Sequence, residues 1–164
     1  MASKEIKLVK VSIPSLKILY AVITNREIMG FSQNIYKNSY SNLFKAHYNN
    51  KDNKYFLIKL NNEIVGFMYY KLEKRFNAFE IGGAVIPKKR KKGYATIAHE
   101  LLIDFLFKKK KAQKIQAIVS SENTKEIKIL KKCGFKLEGI LRKAGRLNNT
   151  IHDLEFFGLL KEDF

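Results

Sequence analysis

The segment AVIPKKRKKGYATIAHELL carries the most chemical information in this 164-residue chain. An apolar run ends at Pro87, the basic residues Lys89 to Lys92 follow, and Gly93 leads into residues at helical spacing. The start of a helix presents backbone N–H groups with no acceptor inside the helix, and the positive end of its dipole, so it attracts phosphate. Gly93 and the small Ala95 let a bulky diphosphate approach those amides with no side chain between. The same residues also fit a basic turn that needs Gly93 only to reverse the chain. There is no GxxxxGK[ST] and no GxGxxG after a strand, which sets aside triphosphate hydrolysis and dinucleotide-dependent hydride transfer.

The elements that must position this segment read as follows. Glu5 to Ile13 is rich in Val and Ile and predicts a strand, and Ser12 with Pro14 marks the start of a helix over Ser15 to Thr24. Ser32 to Tyr48 places Ile35, Tyr36, Tyr40, Leu43 and Phe44 near helical spacing, predicting a second helix with an aromatic face used for packing. KYFLIKL and EIVGFMYYKL flank Asn61-Asn62, a pair suited to the positive φ angles of a hairpin turn. A third strand, Ala78 to Ile86, is interrupted at Gly82-Gly83, where missing side chains permit a bulge or the close approach of a ligand.

Ile97, Ala98, Leu101, Leu102 and Phe105 recur at helical spacing, so Gly93 to about Lys109 reads as an amphipathic helix. Lys108 to Lys111 complement the negative end of its dipole. A strand at Lys114 to Val119, a short helix from Asn123 to Lys132 with Gly134 just beyond its end, and strands at Phe135 to Leu141 and His152 to Leu160 complete the chain. The polar run Arg142 to Thr150 between the last two strands reads as a loop. With no internal repeat or linker, residues 1–164 are expected to form one α/β domain with a mixed sheet.

Composition bounds the partners by sign. The net charge of +17 attracts anions, which include nucleic acid, acidic protein surfaces and polyphosphate cofactors, and it also fits a lysine-rich solvated surface. Cys133 is the only cysteine, so there is neither an internal disulfide nor a Cys/His cluster for zinc, and no metal is expected. No apolar run of membrane-spanning length occurs, and the expectation is a soluble, cytoplasmic protein without a membrane partner.

Arg90-Lys91-Lys92-Gly93-Tyr94-Ala95 resembles the [QR]xxGx[GA] signature of the GNAT acetyltransferase superfamily. Asn123, followed by LKKCGFKLEG, resembles the same family's asparagine, short helix and KxGFxxEG segment, and Asp153 with FFGLLKEDF resembles its last strand. Within the superfamily, GYAT, GFKLEGILR and a late Asp153 resemble the branch that acetylates N-terminal amines of ribosomal proteins. The resemblance covers most of the chain. It implies a mostly antiparallel central sheet flanked by helices, acetyl-CoA as acetyl donor, and an amine acceptor.

It also implies roles for particular residues. The strand before the signature splays from the next one in this family, and the pantetheine arm lies in the gap. The corresponding backbone is Ala84, Val85 and Ile86, opposite Val119 to Ser121. Arg90 belongs to the signature, and the amides of Lys91, Lys92, Gly93, Tyr94, Ala95 and Thr96 are implied to receive the diphosphate. The Asn123 side chain is implied to touch the pantetheine arm, a role compatible with capping a helix. Many relatives carry a proton-donating tyrosine four residues before the Gly-Phe pair, where this chain has Leu130. A serine three residues after the asparagine is replaced by Glu126, and a base position five residues before it by Ile118.

An ammonium acceptor must lose a proton before it attacks. Glu80, on the strand beside the expected thioester and just before Gly82-Gly83, is the candidate base; a solvent-facing or lysine-paired glutamate is the plainer reading. His99 fits the polar face of its helix, Cys133 fits a small buried residue, and His152 and Asp153 are weaker catalytic candidates. The expected acceptor is a protein or peptide N-terminal α-amine, ribosomal in the branch resembled. A polyamine or antibiotic acceptor, a basic RNA-binding module and a CoA-sensing module are the competing readings. A homodimer is compatible with the family, and nucleic-acid binding is compatible with the charge without being required.

Overall fold

A computed structural model describes residues 5–30, 40–48, 52–147 and 149–164. Its elements are β1 (Ile6–Lys10), α1 (Ile13–Ile23), α2 (Arg26–Met29), α3 (Tyr40–Tyr48), β2 (Asn53–Leu60), β3 (Glu63–Glu73), β4 (Ala78–Val85), α4 (Tyr94–Lys108), β5 (Lys114–Ser120), α5 (Thr124–Lys132), β6 (Lys136–Leu147) and β7 (Thr150–Leu160). By backbone hydrogen bonding the strands follow the order β1-β2-β3-β4-β5-β7-β6, with β4 and β5 parallel and the β1–β2, β2–β3, β5–β7 and β6–β7 pairs antiparallel. This is the mixed, mostly antiparallel sheet with helices that the sequence implies.

The chain divides into two compact units, Met1–Lys71 with Gly82–Leu102, and Leu72–Ile81 with Ile103–Phe164. In the first, Ser12 opens α1 through a capping box, its N–H donating to Ser15 Oγ at 2.8 Å, with Pro14 in the first turn. Leu16, Leu19, Val22 and Ile23 of α1 then bury with Ile28, Met29, Leu43, Leu57 and Phe67 in one apolar cluster. Asn61 takes φ +54 in the β2–β3 turn, as the hairpin reading requires. The expected second helix is observed only as α3; its proposed first half, Ser32 to Ser39 with Ile35 and Tyr36, lies outside the described residues. The four-residue α2, capped by the Asn25 side chain, was not legible as a periodic segment because one turn is too short to show a period.

In the second unit, β5 buries Ile115, Ala117 and Val119, and β7 buries Phe157 and Leu159. The parallel β4–β5 ladder consists of Phe79 with Ile115 and Glu80 with Gln116. The expected loop at Arg142 to Thr150 is instead strand almost throughout, since β6 runs to Leu147 and β7 begins at Thr150. A register shift between Leu141 and Gly145 breaks the alternation that would have announced a strand. Lys143, at φ +54 inside that shift, donates its N–H to Asp153 Oδ1 at 2.7 Å.

In α4 the buried stripe is Ala98, His99, Leu102, Ile103, Leu106 and Phe107, while Ile97 and Leu101 are exposed. The helical period is as expected, but the core-facing stripe is rotated by about one residue from the one assigned. Among the described residues, no helix is long and apolar enough to cross a membrane.

Candidate active site

The start of α4 is built as a phosphate cradle requires. Pro87–Lys89 form a single 3-10 turn, after which Lys91 and Gly93 adopt φ +61 and +78. The first helical bond runs from Ile97 N–H to Gly93 C=O, so the amides of Tyr94, Ala95 and Thr96 lie outside the helical ladder. A Cβ built at Gly93 would meet nothing within 4 Å. The glycine is demanded by its dihedral angle, and the space beside it is open.

Within the basic run the side chains divide their work. Lys89 Nζ lies 2.6 Å from Glu63 Oε1. Arg90 donates from Nε to Val85 C=O at 2.9 Å and from Nη2 to Ile28 C=O at 2.8 Å and Glu27 C=O at 3.4 Å. Its guanidinium therefore ties the end of β4 to the carboxyl end of the α2 turn, an internal role that the signature did not announce. Lys88, Lys91 and Lys92 remain exposed.

The end of β4 also has internal partners. Val85 C=O accepts from Arg90, and Ile86 N–H donates to Val65 C=O at 2.9 Å. Ala84 C=O lies against Gly66, where an added Cβ would overlap it. β4 is continuous through Gly82-Gly83, so the expected interruption does not occur. Protein fills the space the two glycines leave: a Cβ at Gly82 would be 2.7 Å from the Tyr69 ring, and one at Gly83 would overlap the β3 backbone at Phe67.

In the second unit, Glu80 is partly buried and stands in register with Gln116. Parallel neighbours in register present their side chains on one face of the sheet. Asn123 caps α5, its Oδ1 accepting from Glu126 N–H at 3.3 Å, and Asn123 N–H donates to Ser120 C=O at 2.9 Å. The cap uses the carbonyl oxygen and leaves the amide NH2 as a further donor. Leu130 is fully buried.

Three weaker candidates receive structural settings. His99 is buried rather than on a polar face, with Nδ1 at 2.8 Å from Ala95 C=O. His152 is buried against Gly145, where an added Cβ would overlap the imidazole, and Asp153 holds the β6 register shift. Among the described residues there is no group of three or more His, Cys, Asp or Glu side chains placed to hold a metal.

Sequence reading missed a constellation on β5, β6 and β7. Gln116 is fully buried, with neither amide atom hydrogen-bonded, beside a Lys114–Glu138 ion pair at 2.5 Å. The available signal was a lone glutamine inside the apolar strand KIQAIVS.

Comparison with known proteins places this geometry in a family. The chain is 31% identical over 109 residues to the uncharacterized N-acetyltransferase p20 of Bacillus licheniformis, an alignment spanning 66% of this chain and 61% of that protein. It is 29% identical over 102 residues to the spermidine N(1)-acetyltransferase of Escherichia coli K12, spanning 62% of this chain and 55% of that protein. The chain thus spans somewhat over half the length of these curated relatives. The crystal structure of spermidine N-acetyltransferase from Vibrio cholerae in complex with CoA and spermine superposes with a TM-score of 0.87 at 20% identity, covering 96% of each chain, a likeness of fold. The acetyltransferase (GNAT) domain family matches residues 8–136, and the chain belongs to that family.

Proposed function

We propose that this chain is an acetyl-CoA-dependent N-acetyltransferase that acts on a primary amine by direct attack in a ternary complex, and that the amine is the N-terminal α-amine of a peptide or protein. The observation that carries the donor half is the start of α4. Two residues with positive φ, three amides outside the helical ladder, open space at Gly93 and the exposed Lys88, Lys91 and Lys92 together suit a diphosphate. Arg90 supports this loop from behind through its three carbonyl contacts. The remaining NH2 donor of Asn123 suits a carbonyl of the pantetheine arm. Acetyl-CoA supplies an activated acyl thioester when bound.

Glu80 is the group proposed to take the proton from the ammonium acceptor. No polar hydrogen is available from Leu130, so thiolate protonation falls to the acceptor's own proton or to solvent. An α-amine, with an ordinary pKa of about 7.7 to 8.0 against about 10.4 for lysine, costs roughly 3 to 4 kcal/mol less to deprotonate. A partly buried carboxylate suits that easier substrate.

A second reading, a polyamine acceptor, is favoured by the likeness to the Escherichia coli spermidine enzyme. Electrostatics oppose it. The chain carries a net charge of +17, and five of its 15 acidic residues, Glu5, Glu63, Asp104, Glu138 and Asp163, are each paired with a lysine. A polycation needs carboxylates that converge without such partners. The deciding experiment incubates the protein with acetyl-CoA and a panel of amines, reads released thiol, and locates the label by mass spectrometry. Peptides beginning with Ala, Ser or Met are expected to be labelled at the α-amine. Spermidine turning over far faster than every peptide overturns that acceptor and leaves a small-amine acetyltransferase; no thiol release with any amine overturns the enzyme itself.

A further inference from the structure

The face formed by β5, β6 and β7 contains a cavity of about 450 Å³ lined by Phe76, Lys114, Gln116, Glu138 and Phe156 among others. Gln116 is its unexplained member. The side chain is fully buried, yet both its amide oxygen and its amide nitrogen lack a hydrogen-bond partner. Buried amides are almost always paired, because leaving one unpaired forfeits its bonds to water without return.

The surroundings of that amide are specifically built. Its antiparallel register partner on β7 is Gly158. A Cβ at Gly158 would overlap the Glu138 carboxylate, so the missing side chain is what lets Glu138 lie across β7 and reach Lys114 Nζ. The pair cancels its own charge. Phe76 and Phe156 meet edge to face with ring centroids 6.4 Å apart, and Lys114 Nζ stands 5.9 Å from the Phe156 ring centre. On the other side of β5, Gln116 is in register with Glu80. Glu80, Gln116 and Gly158 therefore lie in one row across the sheet, with the self-neutralised Lys114–Glu138 pair beside it.

We infer that this cavity is the acceptor subsite, and that it takes the uncharged backbone of the acceptor peptide, the N–H and C=O of one extended residue pairing with the Gln116 carboxamide. The inference deepens the reading of the preceding section and rests on it. An extended residue presents its N–H and its C=O to the same side, and a carboxamide, with its own acceptor and donor, is their complement. Aromatic walls suit an apolar side chain on that residue. With Lys114 and Glu138 neutralising each other, the cavity favours neither sign, so a polycation gains nothing there that a neutral peptide lacks. The buried amide is reached by parting the Lys114–Glu138 contact, whose side chains are 27% and 33% exposed, and an ion pair so near water is among the easiest contacts to open.

The test compares the wild-type chain with Gln116→Leu, which keeps an apolar filling in place of the amide. One arm measures turnover of an alanyl peptide amide and of propylamine, which has no amide. The second arm needs no turnover: calorimetric binding of the N-acetylated peptide amide in the presence of CoA. Gln116→Leu is expected to raise the peptide KM about five- to tenfold, the loss of one or two hydrogen bonds, and to affect propylamine much less. The acetylated peptide is expected to bind the variant correspondingly more weakly. Equal peptide affinity in the two proteins, no peptide binding to the wild type, or a loss confined to spermidine overturns the subsite. Absence of turnover with every amine overturns the transferase reading instead, and the binding arm still decides the cavity. Should Gln116→Leu fail to fold, Gln116→Met, which keeps the length and flexibility of the side chain and likewise removes the amide, carries the same comparison.

Discussion

Gly93 in the first unit and Gly158 in the second are both glycines beside proposed binding surfaces, yet they omit a side chain for opposite reasons. At Gly93 the backbone takes φ +78 and an added Cβ would meet nothing within 4 Å. At Gly158 the dihedral angle is ordinary for any residue, and the vacant space is occupied by the Glu138 carboxylate. Gly82, Gly83 and Gly145 follow the second pattern, filled respectively by Tyr69, the β3 backbone and His152. A glycine whose space the protein itself fills is a packing device. One whose space stays open, at a helix start whose first amides lie outside the helical ladder, is available to a ligand.

Variants at each place sharpen this contrast. The largest effect is expected from Gly93→Asp, which puts a side chain and a negative charge into the open space at a strained dihedral. A ligand at about one hundred times its Kd stabilises a fold by about 2.7 kcal/mol. Thermal unfolding with and without acetyl-CoA is expected to show that increment in the wild type and none in the variant. A variant that folds and keeps the full increment breaks the assignment.

Glu80→Gln, in the second unit, is expected to separate chemistry from donor binding. Turnover at saturating acceptor is expected to fall by roughly two orders of magnitude, as loss of a general base produces, while the acetyl-CoA-induced stabilisation is retained. Unchanged turnover removes Glu80 from the mechanism. Gly158→Ala comes next: the new methyl group displaces Glu138, parts the ion pair with Lys114, and is expected to destabilise the fold by about 1 to 3 kcal/mol in chemical denaturation. Adding Glu138→Ala is expected to recover part of that loss, since the two changes share one contact. Purely additive effects would show that the carboxylate does not occupy the glycine's space.

The smallest effect is expected from Arg90→Met. It deletes donors to three partly solvated carbonyls and is expected to cost about 1 to 2 kcal/mol of stability, with acetyl-CoA binding weakened less than by Gly93→Asp. A loss of acetyl-CoA binding equal to that of Gly93→Asp, without loss of stability, would make the guanidinium a direct ligand of the diphosphate instead of a brace.

The two kinds of glycine also separate what could be read residue by residue from what could not. Ser12 and Pro14 as a helix start, Asn61 in a hairpin turn, Asn123 as a cap and Gly134 beyond a helix end are set by the local backbone, and each is found where its residue type predicts. The signature loop with its positive-φ Gly93 belongs to the same class. The errors share a different cause. The β6–β7 hairpin read as a loop because its alternation resets at a register shift held by Asp153, ten residues away from Lys143. The glycine pair in β4 read as an interruption because nothing in the sequence says that Tyr69 and the β3 backbone fill the space.

Element order apart from the one-turn α2, family resemblance and the basic, glycine-containing start of α4 follow from the residues alone, because caps, turns and helical periods depend on positions within a turn or two of one another. Three-dimensional pairing was needed to establish that Arg90 braces the loop from within, that β4 runs unbroken past Glu80, and that Gln116, Glu138 and Gly158 form one constellation. Those outcomes depend on which strand lies beside which and in what register. The lateral pairing of strands is a long-range choice that no local spacing encodes.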